Sequence, residues 1–376
     1  MTGQAVPFSQ YMREALYGED GYYMVARERF GKTGDFYTSA QVSPIFGELW
    51  AHFIKRAAAS QPLAIVEMGV GDGDFAASML AELAHVADVP VHYAGIELSS
   101  IGQKRASDKL RAVLESAPKG AISARVYGTL NELLIDQPDT FFGGMVFANE
   151  WLDAIPCEVL RLTSGGQAER LWVQAKTGDG AAAADATSAY SPGPFQGGRY
   201  GSEWRPVEDA QLLEYARKWI QPLFREFQHD PVKRLVAEVP IQGLQALTQV
   251  VERLAPSRLA LVDYGGYTLD VVGPDRPHGS LRAYRRHRLV GDFLDQKGLV
   301  DLTCDVDFSP VMAHIAQMGY RVELKKQGVF LLTLPFFEQV ASSRAKWDAH
   351  VHQDIKTLVL PGGMGERFFV LLAERG

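Results

Sequence analysis

The amino-acid sequence predicts an α/β fold, Rossmann-like, with a mostly parallel and doubly wound sheet. Three observations lead to this prediction. Short apolar runs alternate with helical segments between residues 62 and 148, a glycine-rich loop joins the first run to the helix after it, and a strongly apolar run over 367–373 closes the chain. Strands separated by helices in this way pair in parallel through right-handed crossovers.

Residues 1–60 are predicted to form an N-terminal helical cap. Apolar side chains recur at helical spacing over residues 7–17. Ser43 followed by Pro44 is typical of a helix start, with the serine as N-cap and the proline as first helical residue. The cap would therefore contain two helices joined by a glycine-rich stretch.

Residues 61–156 are predicted to form the core of the sheet. Its strands are expected over 63–68, 91–96, 124–127 and 144–148, with helices over 75–86 and 99–117. Each predicted strand is short and apolar, as strands buried on both faces are.

The rest of the chain is divided into an insert, 157–233, and the remainder of the sheet, 234–376. In the insert we expect a hairpin of 159–162 with 170–174, a mobile loop over 177–201 and a helix over 211–228. In the remainder we expect strands over 234–239, 258–263 and 320–325, helices over 244–254, 310–318 and 336–353, and a mostly irregular lid segment over 264–310.

Composition excludes several classes of protein. The 376 residues are 47% hydrophobic and 22% charged, which is an ordinary globular balance and not that of a disordered chain. The net charge of −7 argues against a nucleic-acid partner, because the overall field repels phosphates. With Cys157 and Cys304 as the two cysteines, a disulfide framework and a multi-cysteine zinc site are excluded.

The sequence also bears on location and metals. It contains no run of about 18 apolar residues, so we expect no membrane insertion. Residues 1–9 lack the features of a signal or transit peptide, and we expect a cytoplasmic protein. His350 and His352 have no third ligand nearby, so no metal site is predicted. A homodimer is left open.

The sharpest motif is the loop over 67–73, which reads Glu-Met-Gly-Val-Gly-Asp-Gly. Alternating glycines let the backbone turn tightly and approach a ligand, and the next helix begins with free N–H groups. A dinucleotide site has the spacing G-x-G-x-x-G, whereas here acidic residues at 72 and 74 stand where a pyrophosphate would lie. S-adenosylmethionine, with its ammonium and sulfonium, suits this loop better. A tight turn without any ligand is the alternative.

From this loop we predict that Glu67, Gly69, Gly71 and Gly73 bind S-adenosylmethionine. The second strand ends at Glu97 and Leu98, which we add to the set, because an acidic residue there can accept hydrogen bonds from both ribose hydroxyls. A further loop with Gly34 and Thr38 is predicted to close over the cofactor, with a surface turn as the alternative.

The fourth predicted strand is followed by polar side chains that we predict to be catalytic. These are Asn149, Glu150 and Asp153. A carboxylate can hold a guanidinium bidentately and draw its positive charge away from the attacking nitrogen, which favours arginine as the methyl acceptor. The alternative is that Glu150 caps a helix and that Asp153 is solvated.

In order along the chain, these motifs resemble the MidA family, the mitochondrial complex I assembly-factor methyltransferases and their bacterial homologues. The resemblance is carried by Gly21-Tyr22-Tyr23, Gly34 to Ser39, Glu67 to Gly73, Ala148-Asn149-Glu150, Asp153 to Pro156, Asp263-Tyr264-Gly265, Gly279-Ser280-Leu281 and Asp305 to Phe308. It implies a class I methyltransferase fold with S-adenosylmethionine as cofactor. It also implies a protein substrate, a subunit of respiratory complex I, that is methylated on an arginine.

The chain departs from the family pattern at Val70 and Asp72, where the family has proline and arginine. A further departure is Gln41, where the family has glutamate. The loss of both the arginine and the glutamate leaves open a different substrate or a compensating pair of changes. Two other functions also stay open: a non-catalytic, cofactor-binding assembly chaperone, and methylation of a small molecule. A basic segment over 276–288 is interpreted as a solvated face, with docking of an acidic partner as the alternative.

Overall fold

The parallel sheet predicted from the sequence is present in the computed structural model. The structure describes residues 4–25, 43–57, 62–163, 165–176, 198–227, 235–286, 288–335, 337–340 and 349–376. The chain forms two compact units: the first comprises Met1–Phe36, Leu152–Gln245 and Gly265–Val311, and the second comprises Tyr37–Trp151, Ala246–Tyr264 and Met312–Gly376. These units cut across the four segments that the sequence suggested.

The second unit carries the mostly parallel sheet. Its strands in chain order are β1 (Leu63–Met68), β2 (Val91–Ile96), β3 (Ile122–Tyr127), β4 (Met145–Asn149), β5 (Arg258–Gly266), β6 (Tyr320–Lys326) and β7 (Phe368–Arg375). They lie side by side in the order β3-β2-β1-β4-β5-β7-β6, and β7 runs antiparallel to both of its neighbours. The chain order reverses between β1 and β4, which is the kind of switch point where open α/β sheets bind ligands.

Aromatic side chains hold the helices of the second unit against its sheet. Phe147 on β4 stacks on Phe75 with ring centroids 4.3 Å apart, and its other neighbour is Trp50 at 4.8 Å. Trp50 lies on the helix Pro44–Ala57 and Phe75 on the helix Asp74–Val86. The backbone N–H of Ile45 donates to the Ser43 hydroxyl, so the predicted helix start at Ser43 and Pro44 is confirmed.

The first unit is built on antiparallel strands. Its five-stranded sheet consists of Val6–Pro7, Glu158–Leu162, Ala168–Ala175, Tyr200–Pro206 and Leu235–Val239. The helix Phe8–Tyr17 buries its apolar face in the adjoining core, as its spacing predicted. The expected hairpin is confirmed, since Leu160 pairs with Arg170 across it.

The helices predicted over 99–117, 244–254 and 310–318 are present with small shifts at their ends, whereas the helix predicted over 336–353 is described as Ala349–Val359, and four further short helices among the described residues were not predicted. The remaining helices are Ser100–Ser116, Leu130–Asp136, Ala210–Tyr215, Gln221–Glu226, Ile241–Leu254, Thr268–Val271, Phe308–Gln317, Gln327–Thr333, Ala349–Val359 and Met364–Arg367. A π-helical turn, Ala216–Ile220, interrupts the helix expected over 211–228. Such turns insert one residue into the helical ladder and leave no signal in hydrophobic periodicity.

One expectation about an irregular segment was wrong, and another was wrong only at its end. The lid segment over 264–310 contains a three-stranded sheet of Arg282–Arg285, Arg288–Leu289 and Asp301–Thr303, and Val306–Asp307 pairs in parallel with Gly265–Gly266. The end of the loop expected over 177–201 begins the strand Tyr200–Pro206, while 177–197 lie outside the described residues. The strand Leu235–Val239 belongs to the antiparallel sheet and not to the parallel one.

Candidate functional site

The glycine-rich loop leaves β1 in a backbone conformation that only glycine adopts readily. Gly69, Gly71 and Gly73 have φ values of +70°, +56° and +82°. A side chain at any of the three would be strained in this left-handed region. The backbone N–H groups of Gly69 and Val70 both donate to the carbonyl of Ile96, which fastens the loop to the end of β2. Three glycines at this spacing are therefore a geometric requirement of the turn.

Gly73 also allows two helices to approach each other closely. A Cβ atom at this position would lie 2.8 Å from the Cα of Ala106 and 2.9 Å from its Cβ. Ala106 belongs to the helix Ser100–Ser116, and Gly73 immediately precedes the helix Asp74–Val86. The third glycine thus serves helix packing and not only the turn.

Glu97 ties the loop to the end of β2. Its carboxylate accepts hydrogen bonds from the backbone N–H of Gly71 at 3.0 Å and of Ser99 at 2.8 Å. A carboxylate offers about four acceptor positions, so it can accept hydrogen bonds from several donors at once. Next to it, the side chain of Leu98 is 56% exposed. An acidic acceptor beside an exposed apolar side chain suits a nucleoside, whose sugar donates hydrogen bonds and whose base is flat and apolar on its faces.

Glu67 lies under the loop and not on its surface. It is buried, and the hydroxyl of Tyr93 donates to its carboxylate at 2.6 Å. Burial raises the pKa of Glu67 to about 8, although the bond from Tyr93 acts in the opposite direction. The carboxyl therefore holds its proton more tightly than an exposed glutamate does, and its predicted role in cofactor binding stays a prediction. Tyr93 is a hydrogen-bond partner of Glu67 that the sequence did not lead us to predict. The available signal was its position on β2: Tyr93 lies two residues before Gly95, which pairs with Glu67, so the side chain of Tyr93 is on the same face of the sheet as Glu67.

We expect a Glu67→Gln variant to change how stability depends on pH. The folded state holds the Glu67 proton more tightly than the unfolded chain, because the pKa is raised from 4.5 to about 8. Ionisation therefore opposes folding, and this penalty is absent below about pH 4.5 and grows as the pH rises toward about 8. The unfolding midpoint of the variant should match the wild type near pH 5 and exceed it near pH 9. Urea unfolding of the cofactor-free protein measures this.

The control for this prediction is Glu115→Gln, which removes an exposed carboxyl from the helix Ser100–Ser116. It should leave the pH dependence as it is in the wild type. A Glu67→Gln curve that runs parallel to the wild-type curve across the whole range would contradict a buried, proton-bearing Glu67.

The other two acidic residues of the loop are paired with the neighbouring helix. Asp72 accepts from Arg105 at 3.0 Å, and Asp74 pairs with Lys109. Their charges are therefore largely compensated and do not form an anionic surface for a cationic ligand. Val70, the other departure from the family pattern in this loop, is buried and packs near Gly95. The contacts of Val70 and Asp72 thus lie within the second unit, while Gln41 lies outside the described residues, so the compensating pair of changes stays a prediction.

The end of β4 carries the most unusual backbone of this edge. Glu150 follows the strand directly with a φ of +52°, although it is not glycine. Its N–H donates to the carbonyl of Val262 on β5 at 2.8 Å, and the side-chain amide of Asn149 donates to its carboxylate at 3.1 Å. Left-handed backbone at a non-glycine residue costs about 1–2 kcal/mol and is concentrated at functional sites. The half-buried Glu150 carboxylate is thus held in place at the carboxyl edge of the sheet.

Asp153 belongs to the first unit, unlike Asn149 and Glu150. It is buried, and the hydroxyl of Thr303 donates to its carboxylate at 2.7 Å. It is therefore not the solvated carboxylate of the alternative interpretation. Its predicted catalytic role stays a prediction.

Glu158 is buried and has a structural role. Arg170 donates to both of its carboxylate oxygens, at 2.5 and 2.8 Å, and Ser9 donates to it as well. Gly34 and Thr38, both predicted to bind the cofactor, lie outside the described residues.

Three further expectations from the sequence concern the basic segment, metal sites and membrane-spanning helices. Within the basic segment, Arg276 and Arg282 both pair with Asp305 and so stabilise the first unit. In the part of the chain that the structure describes, no cluster of three metal-ligating side chains is found. Over the same residues, no helix has the length and apolar character needed to cross a membrane.

Comparison with known proteins agrees with this arrangement. A mitochondrial protein arginine methyltransferase NDUFAF7 homolog from Drosophila melanogaster is 26% identical over 388 residues, which cover 96% of this chain and 80% of that protein. The human protein arginine methyltransferase NDUFAF7 is 25% identical and covers 98% of this chain and 80% of its own length. These are the relatives that the MidA resemblance predicts.

Solved structures extend the likeness to the whole fold. A COG1565 superfamily protein from Burkholderia thailandensis, crystallised with S-adenosyl-homocysteine, superimposes with a TM-score of 0.77 at 24% identity, over 99% of this chain and 88% of that one. A native COG1565 superfamily structure from the same organism gives 0.75 at 26% identity, with the same coverage. The predicted class I methyltransferase fold is thereby confirmed.

The family comparison decides the enzyme class. The model of a family of S-adenosyl-L-methionine-dependent methyltransferases matches residues 45–326. That range includes the glycine loop, Glu97 and the end of β4, and it covers well over half of the chain. The loop geometry and the position of the Glu97 carboxylate at the end of β2 fit S-adenosylmethionine, the cofactor predicted from the sequence. This protein belongs to the family of S-adenosyl-L-methionine-dependent methyltransferases.

Proposed function

We propose that this methyltransferase transfers a methyl group to an arginine side chain of a partner protein. The observation that carries the proposal is Glu150, a carboxylate held on left-handed backbone at the carboxyl end of β4. The cost of that conformation is tolerated where the position of a side chain matters. A fixed carboxylate at this edge suits a cationic acceptor better than a neutral one.

Glu150 would act on the acceptor by binding and orientation. Bound S-adenosylmethionine supplies an electrophilic methyl group on a sulfonium. A carboxylate and a guanidinium form parallel, charge-assisted hydrogen bonds that fix the plane of the acceptor. The same bonds draw positive charge toward the nitrogens that face Glu150, which leaves the remaining nitrogen more electron-rich. Asn149 donates to the carboxylate and so limits its rotation.

The names of the relatives support this choice of acceptor. The proteins from Drosophila melanogaster and human are both named protein arginine methyltransferases, and both are aligned over nearly all of this chain. We extend the proposal, through the MidA resemblance, to a subunit of a respiratory complex as the protein substrate.

A labelling experiment tests the proposal. We expect purified protein, incubated with tritiated S-adenosylmethionine and cell lysate, to label one or a few protein bands. Mass spectrometry of these bands should locate the methyl groups on arginine. Label in the small-molecule fraction would support a small-molecule acceptor. Cofactor binding without any labelled species would favour the non-catalytic assembly chaperone. Either result would overturn the proposal.

A further inference from the structure

We propose that Trp151 is a cofactor-binding residue whose indole ring meets the sulfonium end of S-adenosylmethionine. The sequence predicted Glu150, immediately before Trp151, and Asp153, two residues after it, as site residues, but it did not single out the tryptophan. The proposal rests on the cofactor class and needs no particular methyl acceptor.

The indole lies directly on the first glycine of the loop. A Cβ atom at Gly69 would be 3.0 Å from Cδ1 of Trp151 and 3.6 Å from its Cβ and Cγ. With a side chain at position 69, the ring would have to shift away from the loop by a few tenths of an ångström. Gly69 makes room for the tryptophan ring because it has no side chain and its backbone is left-handed, with a φ of +70°.

The sheet explains why the two meet. β1 and β4 are hydrogen-bonded neighbours, with Met68 opposite Ala148, so the loop after β1 and the residues after β4 leave the same edge. The left-handed turn at Glu150 then changes the direction of the chain immediately before Trp151. The strained residue therefore has two consequences: it holds its own carboxylate, and it sends the next side chain onto the glycine loop.

The indole ring of Trp151 lies next to both the predicted cofactor site and the predicted acceptor site. We expect the methionine end of the cofactor at the glycine loop, whose residues are predicted to bind S-adenosylmethionine. We expect the methyl acceptor at the end of β4, where Glu150 would hold it. Trp151 contacts Gly69 of the glycine loop and is the second residue after the end of β4. It is half-buried, so part of its surface is accessible. Tryptophan is the aromatic residue that attracts cations most strongly through its ring face. Asp72 and Asp74 already pair with Arg105 and Lys109, and burial raises the pKa of Glu67, so an aromatic ring adds a contact for the cation that these carboxyl groups do not provide by themselves.

This chemistry predicts discrimination by charge. S-adenosylmethionine carries a sulfonium cation, whereas S-adenosyl-homocysteine, the product, has a neutral thioether at the same place. A cation–π contact stabilises the first and not the second. If the ring only packs against Gly69, removing it affects both ligands alike.

Titration calorimetry of the full chain with each ligand separates the two cases. We expect Trp151→Leu to weaken binding of S-adenosylmethionine by about 5- to 30-fold, and binding of S-adenosyl-homocysteine by less than about 3-fold. Trp151→Phe should give a smaller loss, again confined to the cation, because phenylalanine keeps a ring of weaker cation affinity. It also keeps the proposal testable if the leucine variant does not fold.

The matched control is Leu98→Ala, since Leu98 lies where the shared nucleoside part would bind. This variant should weaken both ligands by the same factor. Equal losses for the two ligands in Trp151→Leu and Trp151→Phe, or no loss in either variant, would overturn the proposal. Neither result bears on the arginine acceptor, because no acceptor is present in the titration.

Discussion

Replacing Glu150 with glutamine is expected to lower the methyl-transfer rate by about 10²–10³-fold, the usual cost of removing one well-placed polar group from a reacting centre. Glutamine keeps the size of the side chain and the left-handed backbone, so the change removes only the negative charge. The guanidinium of the acceptor then loses its charge-assisted bonds and its fixed orientation. Single-turnover transfer of tritium from S-adenosylmethionine to the labelled protein from lysate measures the loss.

Two further variants make this result specific. Glu115→Gln removes an exposed carboxyl elsewhere in the second unit and should retain wild-type transfer. Glu150→Gly should be as inactive as Glu150→Gln, yet more stable by about 1 kcal/mol, because glycine adopts the φ of +52° without strain. The calorimetric affinity for S-adenosyl-homocysteine should change little in Glu150→Gln. A glutamine variant that binds cofactor and transfers methyl groups at the wild-type rate would remove Glu150 from catalysis.

Replacing Gly73 with alanine is expected to destabilise the protein by about 2–5 kcal/mol, as the sum of left-handed strain and overpacking. The new Cβ would lie 2.8 Å from the Cα of Ala106, and a backbone atom cannot move aside as a side chain can. The helices Asp74–Val86 and Ser100–Ser116 would have to separate. Urea unfolding followed by circular dichroism measures the free energy of unfolding.

Gly120 provides a control with the same backbone conformation. Its φ is +81°, against +82° for Gly73, but nothing lies within 4 Å of a Cβ built on it. Gly120→Ala should therefore cost only the strain, about 1–2 kcal/mol. The difference between the two variants isolates the close approach of the helices. Equal losses of stability would mean that the contact with Ala106 is relieved at no cost, contrary to our prediction.

The parts of the fold that could be predicted are those with local signals. Leu63–Met68 and Val91–Ile96 are the strands that hydrophobic runs indicated, with identical ends. The run closing the chain forms β7, displaced by one residue at its start. Both faces of these strands are buried, so consecutive residues have to be apolar, and such runs can be recognised in the sequence.

The segments that could not be predicted depend on partners distant in sequence. Asp301–Thr303 is a strand because Arg282–Arg285 lies beside it, and Tyr200–Pro206 because Ala168–Ala175 does. Short polar strands of this kind carry little periodicity, so only the pairing defines them. The protonation of Glu67 likewise depends on residues distant in sequence, since burial by the surrounding residues raises its pKa to about 8.

By itself, the sequence determined the class of this protein: the parallel sheet, the three-glycine turn, the acidic residue after β2 and the polar end of β4 are all local patterns. Tertiary structure decided what each side chain does there. In the folded protein Asp72 pairs with Arg105, and burial beneath the loop raises the pKa of Glu67. The backbone at Glu150 is left-handed, and Trp151 packs on Gly69. The physical reason is that turns and periodicity follow from neighbours in the chain, whereas charge state and contact follow from neighbours in space.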